Sequence, residues 1–243
     1  MTTPRLSIVL PSYNEAGNIP LIFARFRDVL AGRDDVEVII VDNGSTDDTA
    51  AVLSAELSRP EHAFARGVTV EVNRGYGFGI MSGVRAAAGE CIAWTHADMQ
   101  TDPKDVLDGF ERLAKESDPM RVILKGRREN RALLDEFFTW GMAVISSMAL
   151  GTRLEDINAQ PKMFHRSFLE HLETPPDDFA LDLFLLFQAQ RKGFRILEQP
   201  VIFSDRMHGE AKGGGTMKGK IKLMRRTWGY IMQLRRKIRS GVR

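Results

Sequence analysis

The sequence predicts an α/β protein with a mostly parallel central sheet and helices on both faces. Three observations carry that reading. Short β-branched runs alternate with segments of helical periodicity from residue 6 to residue 124. Those runs are almost continuously apolar, as strands covered on both faces are. The polar, glycine-rich stretches follow the runs, at the carboxyl ends of strands, where open α/β sheets bind ligands.

Each element follows from local chemistry. Residues 6–10 form an apolar strand ended by Pro11. Ile19, Ile22, Phe23, Phe26, Val29 and Leu30 recur at helical spacing, with Asn18 placed to cap and Pro20 tolerated in the first turn. Residues 36–41 form a strand broken only by Glu37, and the turn at 42–47 leads into a helix over about 47–57. The same logic gives a strand at 68–72, a helix over 75–88, a strand at 90–95, a helix over 103–115 and a strand at 122–124. Helices are expected over 133–150 and 178–192, the latter stopped by Gly193, then extended chain at 195–203 around Pro200.

Composition bounds the function. The chain has 243 residues, 43% hydrophobic and 27% charged, as in a soluble globular protein. Its single cysteine, Cys91, excludes an internal disulfide framework and a cysteine zinc cluster. No signal peptide and no spanning apolar run is read, so a cytoplasmic location is expected. The net charge of +2 hides an asymmetry: residues 211–243 hold eleven Lys or Arg and no acid, which leaves the rest near −9. Gly213, Gly214 and Gly215 separate a body, residues 1–212, from this basic tail, residues 213–243.

Four loops share the carboxyl edge of the expected sheet. They are residues 11–15, 42–45, 73–77 and 95–100. Tyr13 offers a ring face for a base, and Asp42 an acceptor for an imide N–H or a ribose hydroxyl. Gly75, Gly77 and Gly79 would let backbone amides approach an anion at a helix N-terminus. His96, Asp98 and Gln100, two residues apart, can point one way and share a cation that also grips phosphate. Each feature has a plain structural alternative: a half-buried ring, a turn residue, glycines that pack helix on strand, a surface loop. Taken together they describe a nucleotide-diphosphate pocket.

Residues 8–15 (Ile-Val-Leu-Pro-Ser-Tyr-Asn-Glu), 39–47 (Ile-Ile-Val-Asp-Asn-Gly-Ser-Thr-Asp) and 96–100 resemble the family 2 glycosyltransferases, over about residues 5–212. Within them the pattern is most similar to the polyprenyl-phosphate sugar transferases, the dolichol-phosphate mannose synthase type. Lys125-Gly126-Arg127-Arg128, Asp182 in its helix, and Arg206 to Lys212 carry that likeness. The resemblance implies a GT-A fold, a UDP- or GDP-linked sugar donor, Mn2+ or Mg2+, and inversion at the anomeric carbon. It implies donor-nucleotide contacts from Pro11, Tyr13, Glu15, Asp42, Gly75, Tyr76, Gly77 and Ala97. It also implies metal ligation by His96, Asp98 and Gln100.

The chain departs from the family pattern in places. His96 replaces the first Asp of the usual Asp-x-Asp, which favours manganese, since imidazole is a poor magnesium ligand. Asn43 stands for a second Asp. Met142 stands where some members place an Arg before Ser146, so Arg131 is a candidate substitute in the acceptor grip.

The acceptor decides the chemistry. A hydroxyl needs a base, whereas a phosphate monoester, with a second pKa of about 6, needs cations to hold it. Arg127, Arg128, Ser146 and Lys212 are the acceptor-phosphate set, and Asp98 and Arg206 the catalytic pair, with Asp156 and Asp182 as reserve bases or as partners of the arginines. The expected reaction is sugar transfer to a polyprenyl phosphate. Transfer to a saccharide or lipid hydroxyl, a non-catalytic nucleotide-binding scaffold and a nucleotidyltransferase are the alternatives.

The tail groups Ile221, Met224, Trp228, Ile231, Met232 and Leu234 on one broad side among Lys and Arg. A basic amphipathic segment of this kind suits an anionic membrane surface, here the cytoplasmic face. Packing onto the body or onto a second copy is the other reading. Nucleic acid is disfavoured because no stacking aromatics accompany the charge.

Overall fold

The computed structural model describes residues 3–129, 133–204 and 217–239. Seven strands form one sheet: β1 (Leu6–Ser12), β2 (Val36–Asn43), β3 (Ala65–Val70), β4 (Cys91–Trp94), β5 (Val122–Glu129), β6 (Lys162–His165) and β7 (Arg195–Ile202). Their order is β3-β2-β1-β4-β6-β5-β7. All neighbours run parallel except β6, which is antiparallel to both β4 and β5. The helices are α1 (Ile19–Val29), α2 (Thr49–Leu57), α3 (Tyr76–Ala86), α4 (Pro103–Ala114), α5 (Leu133–Leu150), α6 (Leu181–Arg191) and α7 (Met217–Arg239).

Two cores explain the continuous apolar runs. Val9, Ile39 and Val41 face one layer with α3 and α6; Leu6, Ile8, Leu10, Val38 and Ile40 face the other with α1 and α4. Successive side chains alternate between faces, so a strand buried on both must be apolar throughout. Pro200 sits within β7, paired in register with Arg127. It is tolerated because β7 is an edge strand and a missing N–H there costs no ladder bond.

The structure revises four expectations. β3 begins at Ala65, three residues before the expected start, and Val72 is 70% exposed beyond its end. β6 is an unanticipated strand of four residues that starts on a lysine. Asn18 does not cap α1 through its side chain, and its amide instead donates to Glu15 at 2.5 Å. The apolar side of the tail is divided: Ile231 and Leu234 on α7, which packs against α5, are buried in the core, while Trp228 stays 44% exposed.

Helix α3 lies close on the sheet because Gly83 has no side chain. A Cβ there would collide with Val9 and Val41. Gly83→Ala should therefore destabilise the fold by about 1–3 kcal/mol, the usual cost of overpacking. Gly229 in α7 has nothing within 4 Å of an added Cβ. Gly229→Ala should instead stabilise by about 0.5–1 kcal/mol through helix propensity. Urea unfolding midpoints of the two variants should move in opposite directions.

Candidate active site

The carboxyl ends of β1, β2 and β4 meet at one edge, and hydrogen bonds stitch the loops after β1 and β2 together. Asn14, at φ 56°, donates its N–H to Ser45 Oγ at 3.0 Å and accepts from the Thr46 N–H at 2.8 Å. The Glu15 N–H donates to Thr49 Oγ1 at 2.8 Å. Asp42 is buried and accepts the Ser45 N–H at 3.0 Å, and Asn43 Nδ2 donates to the Gly75 carbonyl at 3.0 Å. Pro11, Tyr13 and Glu15 are half-buried along this edge. Asp42 is thus a turn-forming carboxylate as well as a candidate base reader.

The close approach of Gly75 and Gly77 has a different partner from the anion expected. A Cβ on Gly75 would strike the backbone carbonyl of Asp177, and one on Gly77 those of Pro176 and Asp178. The Phe78 N–H donates to the Asp177 carbonyl at 3.0 Å, so the loop before α6 covers the start of α3. Tyr76 stacks on Phe179 of the same loop, centroids 4.8 Å apart. These glycines pack protein on protein.

After β4, Ala97 and Asp98 are buried and His96 and Gln100 half-exposed. Asp98 Oδ1 accepts the Gln100 N–H at 3.2 Å. Gln100 is tied to the chain just past β7, its side-chain amide donating to the Ser204 carbonyl at 3.3 Å and its backbone carbonyl accepting the Ser204 N–H at 2.9 Å. The His96 ring meets Phe203 edge-on at 5.8 Å. Among the described residues no group of three or more His, Cys, Asp or Glu gathers. One carboxylate beside one imidazole still fits a divalent ion that arrives with a diphosphate, since such ions commonly take one or two carboxylates and complete their shell with phosphate and water.

Phe203 also meets Arg128, whose guanidinium lies over the ring 5.6 Å from its centroid. Arg128 Nε and Nη2 clasp Asp156, which also accepts the Arg128 N–H at 2.9 Å. Burial acts to raise the Asp156 carboxyl, but hydrogen bonding and charge from Arg128 outweigh it and hold the group below its usual 3.8. A carboxylate so held is a poor proton acceptor. Arg127, exposed, pairs instead with Glu129 and Glu198.

Asp182 is buried, 2% exposed, and accepts from Trp94 Nε1 at 3.2 Å and from Gln160 Nε2 at 3.0 Å. Lys162 Nζ lies 3.4 Å away. Gln160 Nε2 also donates to the Tyr76 hydroxyl at 2.9 Å. Burial, with the nearby Asp182 charge, pushes the Tyr76 phenol well above its usual value. Ser146 on α5 is fully buried, and its hydroxyl has no hydrogen-bond partner among the described residues. Arg206, Lys212 and Arg131 lie outside the described residues. Sequence reasoning missed Trp94, Gln160, Lys162 and Phe203 as parts of this site; only Lys162, a lone charge ending an otherwise uncharged stretch from Ile157, carried a signal.

The sequence profile of Glycosyl transferase family 2 matches residues 7–141, and the chain belongs to that family. It is similar to a polyprenol monophosphomannose synthase of Mycolicibacterium smegmatis, 25% identical over 247 residues, covering 96% of this chain and 90% of that one. It is also similar to an uncharacterized glycosyltransferase of Mycobacterium tuberculosis, 28% identical over 238 residues, covering 95% of this chain and 100% of that one. Among solved structures, glucosyl-3-phosphoglycerate synthase from Mycobacterium tuberculosis, in complex with Mn2+, uridine diphosphate and phosphoglyceric acid, superposes with a TM-score of 0.73. That match is 19% identical and covers 96% of this chain and 78% of the other. The fold is GT-A, and the protein is a glycosyltransferase.

The Arg128–Asp156 pair gives a signed pH expectation. Asp156 is depressed in the folded state, so it contributes stability that is present above its unfolded pKa and is lost as pH falls through the lower, folded value. Asp156→Asn should be less stable than the parent at pH 6–7. The gap should narrow as pH drops below about 4. Denaturant unfolding of both proteins across pH reads this directly.

Proposed function

We propose that the protein transfers a sugar, with inversion, from a UDP- or GDP-linked donor to a polyprenyl phosphate at a membrane surface. The observation that carries this reading is the engagement of both reserve carboxylates. Asp156 is held by Arg128, and Asp182 by Lys162, Trp94 and Gln160. A hydroxyl acceptor would need one of them as a base. An ionised phosphate needs a fixed cation, which Arg128 supplies: the carboxylate takes the Nε and Nη2 side of the guanidinium and turns Nη1 the other way. The relative named polyprenol monophosphomannose synthase supports the same acceptor class.

In this reading Tyr13 and Asp42 take the donor base and ribose, with Pro11, Glu15 and Ala97 lining the same edge. Asp98 and His96, with Gln100 beside them, would hold Mn2+ or Mg2+, which supplies charge neutralisation at the leaving diphosphate. Arg128 orients the acceptor phosphate for in-line attack. Phe203, in contact with both His96 and Arg128, links the donor and acceptor sides. Arg206 and Lys212 are proposed to add positive charge at the diphosphate and acceptor, and Ser146 a hydroxyl.

Asp98→Ala should abolish transfer while leaving the fold intact. His96→Asp should retain nucleotide-dependent metal binding and shift preference toward magnesium, read by metal titration with nucleotide as well as by activity. Arg128→Ala should raise KM for the lipid phosphate more than for the donor. Full activity in Asp98→Ala, or an unchanged acceptor KM in Arg128→Ala, would sink this assignment.

The membrane reading rests on α5 and α7 together. No described helix is long and apolar enough to cross a membrane. Ile145, Met148 and Trp228, respectively 44%, 72% and 44% exposed, border an apolar groove between the two helices with Arg235, and Arg225, Arg226 and Arg236 are exposed nearby. Such a face suits the headgroup region of an anionic leaflet, where each basic residue contributes roughly 1 kcal/mol. Met148→Ser/Trp228→Ser should lose flotation with anionic liposomes and keep donor binding. Undiminished flotation would place the membrane contact elsewhere.

A further inference from the structure

We propose that Lys162 is a positioning residue that sets the place of Arg128 at the acceptor side, a role that rests on the reading of Arg128 as the acceptor clamp. Lys162 opens β6, in register with Trp94 on β4 and with Lys125 on β5. Its side chain is wholly buried at the edge where the site loops gather.

Three groups receive the ammonium. It donates to the backbone carbonyls of Ile157 and Ala159 and pairs with Asp182. The two carbonyls belong to the loop that runs from Asp156 to Gln160. At one end of that loop Asp156 clasps the backbone and guanidinium of Arg128. At the other, Gln160 bonds both Asp182 and the Tyr76 hydroxyl. The loop is therefore pinned from beneath by one cation, and Arg128 is aimed by the loop.

The choice of a cation follows from chemistry. A loop that folds its carbonyls inward presents acceptors that need buried donors, and an ammonium has three donors and no acceptor to leave unmatched. Asp182 balances the charge and also accepts from two N–H donors, so both members of the ion pair are partnered. Burial lowers the Lys162 pKa to about 8, the mark of a charge held in a dry place for its contacts.

The test compares Lys162→Arg, Lys162→Met and Lys162→Met/Asp182→Asn in the full chain. Hydrogen exchange at the Arg128 N–H, which donates to Asp156, reads the clamp without any acceptor. Steady-state kinetics with polyprenyl phosphate and calorimetric binding of the nucleotide read its use. In Lys162→Met we expect lost protection at Arg128 with protection kept at Ile123 and Leu124. We also expect acceptor KM raised roughly tenfold or more, at an unchanged nucleotide Kd. Lys162→Arg should restore both toward the parent. If Lys162→Met does not fold, the double variant, which leaves no unpaired buried charge, should show the same two changes. A folded variant lacking the ammonium with Arg128 protection and acceptor KM both unchanged overturns the proposal. If the parent binds nucleotide but does not use a lipid phosphate, the functional reading fails, and the exchange arm still decides whether Lys162 places Arg128.

Discussion

The buried pair of Lys162 and Asp182 is the constraint on which the site depends. It exists because β6 enters the sheet against the direction of its neighbours. An antiparallel strand begins where parallel strands end, so its first residue lands among the site loops. There Lys162 meets Asp182 from the start of α6, and Asp182 in turn holds the indole of Trp94, the residue just before the loop of His96 and Asp98. One carboxylate thus ties α6, β4 and the loop preceding β6. Removing one partner of such a pair costs about 3–5 kcal/mol, because the other charge is left buried alone.

Around that pair the site consists of matched charges. Arg128 faces Asp156, Lys125 faces Glu198 at 2.8 Å, and Arg74 faces Asp177 at 2.9 Å. Asp156 and Asp182, the two reserve carboxylates, are each paired with a cation. This distribution suits a reaction in which both substrates are anionic and the protein's task is to hold charge in place rather than to remove a proton. Phe203 touches both His96 and Arg128, so the loop after β4 and the end of β5 share one aromatic neighbour.

Much of the fold was readable because burial on both faces of the sheet leaves an unmistakable apolar record in β1 and β2. The loops after those strands were readable because polar, turn-forming residues, Ser12 to Glu15 and Asp42 to Asp47, interrupt the apolar runs. The remainder was hidden for physical reasons. β6 spans only Lys162–His165, too short for a periodic signal, and begins on a charge that looks exposed until its partners are known. Gly75 and Gly77 announced a close approach but not what approaches, and the answer, the backbone of residues 176–178, lies about a hundred positions away. The tail displayed one apolar side, yet Ile231 and Leu234 went to the core while Trp228 did not. Helical spacing cannot divide a broad stripe between a buried and an exposed face. Gln160 and Phe203 had no sequence signature, since their roles come from distant partners.

The central claim is that the acceptor is a phosphate that needs a cation and no base. Parallel turnover with polyprenyl phosphate and with the corresponding polyprenol, using a nucleotide sugar that the protein binds, tests it most directly. Product is expected from the phosphate alone, with kcat/KM falling as pH drops below about 6, where the acceptor takes up its second proton. Glycosylation of the free alcohol at a comparable rate would contradict the account and return Asp156 or Asp182 to the role of base.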